Sequence, residues 1–223
     1  MPSSEIRYVS FDCYGTLTNF RVGELTKDRL SDIISPDSMA GFLEDFTAYR
    51  FDEVLGDWKP YADVLHRALE RTCRRWGIAF RQEDAGAIVE AVPTWGPHAD
   101  VPAPLARVAQ EIPLVILSNA ADSQIHSNVD LLGAPFHAVL TAEQAQAYKP
   151  RLRAFEYMFD TLGCGPEHMM HVSSSLRYDL MSASDLRIGR RVFVERGHGP
   201  GNPAYGYQAI PDIGGLPGLL GID

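Results

Sequence analysis

The chain has no excess of positive charge, no long apolar run and no cysteine pairing pattern, and each absence narrows what it can be. Its 20 Lys and Arg are outnumbered by 29 Asp and Glu, giving a formal net charge of −9 with no basic cluster. Nucleic acid and anionic membrane surfaces are therefore poor partners. No apolar run approaches the roughly 20 residues that a membrane helix needs. The three cysteines, Cys13, Cys73 and Cys164, are odd in number, far apart and form no CxxC pair. That argues against a disulfide framework or a structural zinc site and suits a reducing cytoplasm. No basic stretch followed by a long apolar one opens the chain, so no secretory signal is expected.

What is present suits a soluble α/β protein. The 223 residues, 45% hydrophobic and 22% charged, fit one α/β domain or a core with a modest insertion. Residues 6–11 form a short β-branched and aromatic run that ends in Asp12. Further strands are expected at 113–117, 168–172 and 191–194, with helices near 101–110, 122–132, 151–163 and 176–187. Alternating strands and helices predict a doubly wound, mostly parallel sheet with helices on both faces. Ligands of such sheets sit at the carboxyl ends of the strands. Asp12, Ser118-Asn119 and Ser173–Ser175 all fall there.

Residues 18–98 read differently. Helical patterns occupy about 24–34, 38–55, 60–76 and 82–92, and Gly77 is a plausible helix stop. An all-helical block inserted after the first strand reads as a cap that excludes water from the strand ends. The expected division is a core of 1–17 and 99–223 and a cap of 18–98. The Gly- and Pro-rich stretch 197–223 reads as irregular chain wrapping the core, with 216–220 tucked in.

Four ordered motifs now stand out. Phe11-Asp12-Cys13-Tyr14-Gly15-Thr16-Leu17 resembles the first motif of the haloacid dehalogenase superfamily, Leu117-Ser118-Asn119 the second and Lys149-Pro150 the third. Ser173 to Asp179 stands where the fourth belongs. The resemblance implies a Rossmann-like core and makes Asp12 a nucleophile rather than a turn aspartate. Its carboxylate would form an ester that water then opens. Lys149, otherwise a surface lysine before proline, would lie near Asp12 and keep it charged.

Two departures choose a branch. Superfamily phosphatases carry a second aspartate two residues after the nucleophile, to protonate the leaving alkoxide. Here that position is Tyr14. They also usually carry two acids in the fourth motif that help hold Mg²⁺. Here the first of those positions is Ser174 and only Asp179 is acidic. A halide leaves without a proton and needs no metal, so the chain resembles the type II 2-haloacid dehalogenases, and no cofactor or metal is expected.

The resemblance assigns further roles. Asp12, Lys149, Asp179 and Ser174 would be catalytic. Tyr14, Thr16, Arg50, Ser118, Asn119 and Ser175 would bind substrate or halide. Arg50 follows Tyr49 in the cap and matches the arginine that receives the departing halide. Its alternative is a helix-surface residue paired with Glu44 or Glu53. Leu176 stands where dehalogenases have asparagine, which leaves the hydrolytic water without an obvious holder. Trp58 and Trp95 could wall an apolar pocket, though such residues are more often core. His171 reads as a strand neighbour and His198 as a rim residue. The expected activity is hydrolysis of short 2-haloalkanoates to 2-hydroxy acids. Small haloacids and halide are its expected partners, and a homodimer is a further expectation from resemblance. The rivals are a phosphatase, a hydrolase of another carbon–heteroatom bond, and a binding protein on the same scaffold.

Overall fold

A computed structural model describes residues 5–222. Six strands form one parallel sheet: β1 (Tyr8–Phe11), β2 (Leu114–Ser118), β3 (Ala138–Thr141), β4 (Met169–Ser173), β5 (Arg190–Val194) and β6 (Gln208–Ile210). Their order is β3-β2-β1-β4-β5-β6. The chain goes to one side of β1 for β2 and β3, then to the other for β4 to β6. The order therefore reverses at β1, and the crevice beyond its carboxyl end is where open α/β sheets hold ligands. Asp12 is the next residue along.

The central strands have apolar cover on both faces, which is why these runs lack polar alternation. Val9, Phe11, Ile116, Met170, Val172 and Val192 pack with Leu105, Val108, Ile125 and Leu216. The opposite face joins Val115, Leu117 and Met169 to Phe155, Met158, Ala183 and Ile188. The four expected strands are present. β3 and β6 were not expected, being short and lacking an extended β-branched run. Residues 216–220, expected to be irregular chain tucked in, form a short helix with Leu216 and Pro217 buried. The helix expected over 176–187 opens instead as a π-helical turn, Leu176–Leu180, before Met181–Asp185. Such turns often mark functional positions, and this one carries Asp179.

The chain clusters into two compact units, one running to Asn19 and resuming at Gly96, the other Phe20–Trp95. Thr18 belongs to the first, where it bridges Tyr14 and Pro97. The second unit holds the helices Val22–Leu30, Pro36–Leu55, Tyr61–Trp76 and Gln82–Ala91. Val64, Leu65, Ala68 and Leu69 recur at helical spacing and are buried. Gly77 ends that helix in a left-handed conformation, φ 65°, as its position suggested. Trp95 is buried edge-on against Phe20, ring centroids 5.1 Å apart, so it is core. Among the described residues no helix is long and apolar enough to cross a membrane.

Gly189, just before β5, has no room for a side chain, because a Cβ there would strike the Glu167 carbonyl oxygen. Backbone cannot yield as a flexible side chain would. Gly189→Ala should cost about 1–3 kcal/mol, read as a lower urea midpoint with unchanged slope.

Candidate active site

Strand β1 delivers Asp12, and the turn after it folds back at once. The Leu17 and Thr18 amides donate to the Cys13 carbonyl, and the Gly15 amide donates to Thr18. Gly15 has φ +91°, a conformation that side-chain-bearing residues avoid. The turn brings Thr16 back onto Asp12, where its hydroxyl donates to Oδ2 at 2.7 Å. Thr16 Oγ1 in turn accepts the Ser174 amide at 2.9 Å and lies 3.1 Å from Ser174 Oγ. One threonine thus ties the ends of β1 and β4 together. Arg196 clamps the same turn, forking onto Asp100 with two 2.8 Å contacts and donating to the Thr16 carbonyl. His198 Nε2 lies 3.1 Å from the Gly15 carbonyl oxygen, beside the nucleophile turn.

Lys149 meets Asp12 from the other side. Its ammonium donates to Asp12 Oδ1 at 2.9 Å, to the Leu117 carbonyl at 2.7 Å and to Asp179 Oδ1 at 2.6 Å. Three donors meet three acceptors, so the group is saturated. Lys149 and Asp179 are 1% and 0% exposed, whereas Asp12 keeps 8%. Asp12 is the member of this trio that an incoming molecule can reach.

Burial raises the Asp12 carboxyl above its ordinary value. The Lys149 charge opposes that rise and the Asp179 charge adds to it. Burial pushes Asp179 the same way, but Lys149 and then His171 outweigh it and hold that carboxyl low. Burial works against the Lys149 charge, yet the two carboxylates keep the ammonium above its usual range. Cys13, next to Asp12, is pushed up to about 12 by burial. A neutral thiol is no rival nucleophile.

Several expected binding residues are engaged elsewhere. Asn119 accepts the Lys149 amide at 2.8 Å and donates to the Lys149 carbonyl at 2.9 Å. It holds the backbone of the lysine, with one amide hydrogen left over for any ligand. Ser118 does not reach Asp12, whose two oxygens are taken by Lys149 and Thr16. Its hydroxyl oxygen is buried with no partner among the described residues. Ser175 caps the π-helical turn by accepting the Tyr178 amide at 3.1 Å, a structural task in place of the expected ligand contact. Tyr14 donates to Asn128 Oδ1 at 2.9 Å. Asn128 had no motif to mark it.

Arg50 lies in the second unit. Of the two partners in its alternative reading as a surface residue, Glu53 is held instead by Lys59 at 3.0 Å and Arg71 at 2.6 Å. Arg50 donates to Thr47 at 3.2 Å, and its guanidinium lies 5.2 Å from the Phe46 ring and 6.0 Å from that of Phe20. Its Nε is buried with no hydrogen-bond partner among the described residues. A cation among aromatic rings with an unused donor is suited to a weakly hydrated anion.

The reading of His171 as a mere strand neighbour is incomplete. Its Nε2 lies 3.0 Å from Asp179 Oδ1 and its Nδ1 lies 2.9 Å from Ser10 Oγ. A polar residue inside the apolar run Met169, Met170 and Val172 was the signal available for it. Among the described residues no group of three or more His, Cys, Asp or Glu gathers to hold a metal ion. Of the carboxylates at hand, Asp12 and Asp179 share the lysine, and Ser174 stands where a third could have been.

Residues 6–186 match the family of haloacid dehalogenase-like hydrolases. The (S)-2-haloacid dehalogenase of Pseudomonas sp. strain YL is 25% identical over 222 residues, 93% of this chain and 94% of the relative. The solved structure of L-2-haloacid dehalogenase from Xanthobacter autotrophicus superposes with a TM-score of 0.76 at 21% identity, covering 96% of this chain and 98% of the other. The HAD-hydrolase YfnB from Bacillus subtilis, solved bound to magnesium, gives 0.80 at 15% identity over 98% and 100%. Both likenesses are of fold. The same scaffold serves a dehalogenase and a magnesium-bound hydrolase, so the choice of chemistry falls to the residues.

Lys149→Met would remove the ammonium that the two buried carboxylates share. A loss of about 3–5 kcal/mol at neutral pH is expected. Without the ammonium both carboxyls titrate higher than in wild type, so protonation as the pH falls removes part of the penalty and the deficit against wild type should shrink in acid. Urea unfolding of both proteins across pH checks the size and the direction.

Proposed function

The chain belongs to the haloacid dehalogenase-like hydrolases, and from that premise we propose that it hydrolyses the carbon–halogen bond of short 2-haloalkanoates through an ester on Asp12, without a metal. The observation that carries this reading is the setting of Asp12. A lysine ammonium and a threonine hydroxyl orient the carboxylate, and tyrosine occupies the position two residues on, where an acid would be needed to protonate a poor leaving group.

The steps follow from that setting. An Asp12 oxygen attacks C2 of the substrate. The new C–O bond forms as the carbon–halogen bond breaks, the electron pair leaves with the halide, and C2 inverts. Water then adds to the ester carbonyl on Asp12. The acyl–oxygen bond breaks, the 2-hydroxy acid departs, and the carboxylate is restored. Arg50 receives the halide, and its unused Nε–H supports that role. The free hydroxyl of Ser118 and the spare amide hydrogen of Asn119 offer donors to the substrate carboxylate. Thr16 and Ser174 keep Asp12 in line. The likeness to the Pseudomonas (S)-2-haloacid dehalogenase, which spans nearly the whole chain, favours the same substrates.

The second reading is hydrolysis of another electrophile on this scaffold, phosphate monoesters included. The magnesium-bound structural neighbour keeps it in view. Tyr14 and Ser174 weigh against phosphate. The lysine and two carboxylates do not weigh against other carbon centres.

Purified protein should release halide from chloroacetate or 2-chloropropionate, with EDTA leaving the rate unchanged. It should be inactive on p-nitrophenyl phosphate with Mg²⁺. Phosphate release with magnesium dependence would select the second reading. Asp12→Asn should abolish halide release, and intact-protein mass spectrometry during wild-type turnover should reveal an ester on Asp12. Burial raises the Asp12 carboxyl, and attack needs it ionised. The acid limb of kcat/KM should therefore fall at a pH above the ordinary carboxylate value, as a rate–pH profile will read.

A further inference from the structure

We propose that Arg196 is a positioning residue of the active site, which aims the Asp12 carboxylate by holding the backbone of Thr16. Thr16 is gripped at two points. Its hydroxyl donates to Asp12 Oδ2 at 2.7 Å and accepts the Ser174 amide at 2.9 Å. Its carbonyl accepts from Arg196 Nε at 3.2 Å and Nη2 at 3.1 Å. The bonds that close the turn engage the carbonyls of Cys13 and Thr18, and no backbone amide of the described residues donates to the carbonyl of Thr16. The neighbouring Gly15 carbonyl faces the same way, with His198 Nε2 at 3.1 Å. Both free carbonyls of the nucleophile turn thus meet the chain that leaves β5, while the Thr16 side chain points back to Asp12.

The guanidinium cannot drift from this position. Its Nη1 and Nη2 fork onto the two oxygens of Asp100, both at 2.8 Å, and Asp100 Oδ2 also accepts the Ile213 amide at 2.9 Å. The Arg196 side chain is 10% exposed. An ion pair with Asp100 would by itself fasten the wrapping C-terminal chain to the core. It would not require the other edge of the guanidinium to reach the turn that carries the nucleophile. A planar fork serves two acceptors on two edges at once, which a lysine ammonium on its flexible stem does not reproduce. Charge and aim can therefore be separated at this position.

The consequence for turnover rests on Asp12 being the nucleophile of the proposed reaction. The Thr16 hydroxyl favours the ionised carboxylate and fixes the direction in which its oxygens point. Arg196 contacts Asp100 and Thr16, so loosening it should disturb the attack rather than the binding of substrate.

Arg196→Lys keeps the charge and a partner for Asp100 but not the two-edged fork. It should lower kcat for chloroacetate by about 10- to 100-fold and leave KM within about twofold of wild type. The acid limb of its rate–pH profile should move to higher pH, a shift that the loss of a cation cannot explain because the cation remains. In Thr16→Val, which already lacks the hydroxyl, adding Arg196→Lys should cost less than about twofold more. Losses that multiply in the double variant would overturn the inference, as would an unchanged kcat and acid limb, even with a lowered urea midpoint. Asp100→Asn, which loosens the fork from its far end, takes the place of the lysine variant if that does not fold. A second measurement is independent of turnover. In protein with 13C-labelled aspartate carboxyls, the signal lost in Asp12→Asn identifies Asp12. Its titration midpoint should rise in Arg196→Lys and should not rise further when that change is added to Thr16→Val, and a midpoint indifferent to Arg196 would reject the positioning role. Wild-type protein that releases no halide would sink the proposed reaction and leave the carboxyl titration to decide whether Arg196 acts on Asp12.

Discussion

The ammonium of Lys149 joins the carboxyl ends of three neighbouring strands. It is anchored to the end of β2 through the Leu117 carbonyl, to the tip of β1 through Asp12 and to the turn after β4 through Asp179. Buried charge is tolerated only where it is paired and saturated, so these three elements must arrive in register or the group has nowhere to go. The surrounding polar contacts follow from that demand. Asn119 grips the lysine by its backbone, Thr16 fixes the free side of Asp12, and His171 meets the far side of Asp179.

That same arrangement separates two kinds of chemistry on one scaffold. A magnesium-dependent site needs several carboxylate oxygens free to face a cation. Here a protein cation already occupies the space between the two carboxylates. Tyr14 is held by Asn128 and offers no carboxyl proton. A nucleophile without a partnered acid suits a leaving group that departs as a stable anion, and this is the physical core of the dehalogenase reading.

The apolar framework was legible in the sequence because burial acts on short runs. The strands around Val9, Leu114, Met170 and Val192 are nearly unbroken apolar segments, and the helix Tyr61–Trp76 repeats its apolar residues at helical spacing. β3 and β6 were hidden because neither carries a β-branched and aromatic run like that of β1, so each takes its stability from neighbours across the sheet rather than from its own pattern. The π-helical opening of the helix carrying Asp179 was hidden for a similar reason, since its stretch reads as ordinary helix.

Within the site, Asp12, Lys149, Asp179 and Ser174 could be picked out from the chain alone, because they fall in ordered motifs that resemble those of the family. Their partners could not. Asn119 turning to the Lys149 backbone, Ser175 becoming a cap, Ser118 standing apart from Asp12 and His171 joining Asp179 all depend on contacts between segments distant in sequence or on how a turn closes. The sequence by itself determined which chemical groups the protein owns and that they gather at the strand ends. Only the tertiary structure decided which group satisfies which, because a hydrogen bond is set by distance and direction in space, and neither is written in the spacing of residues along a chain.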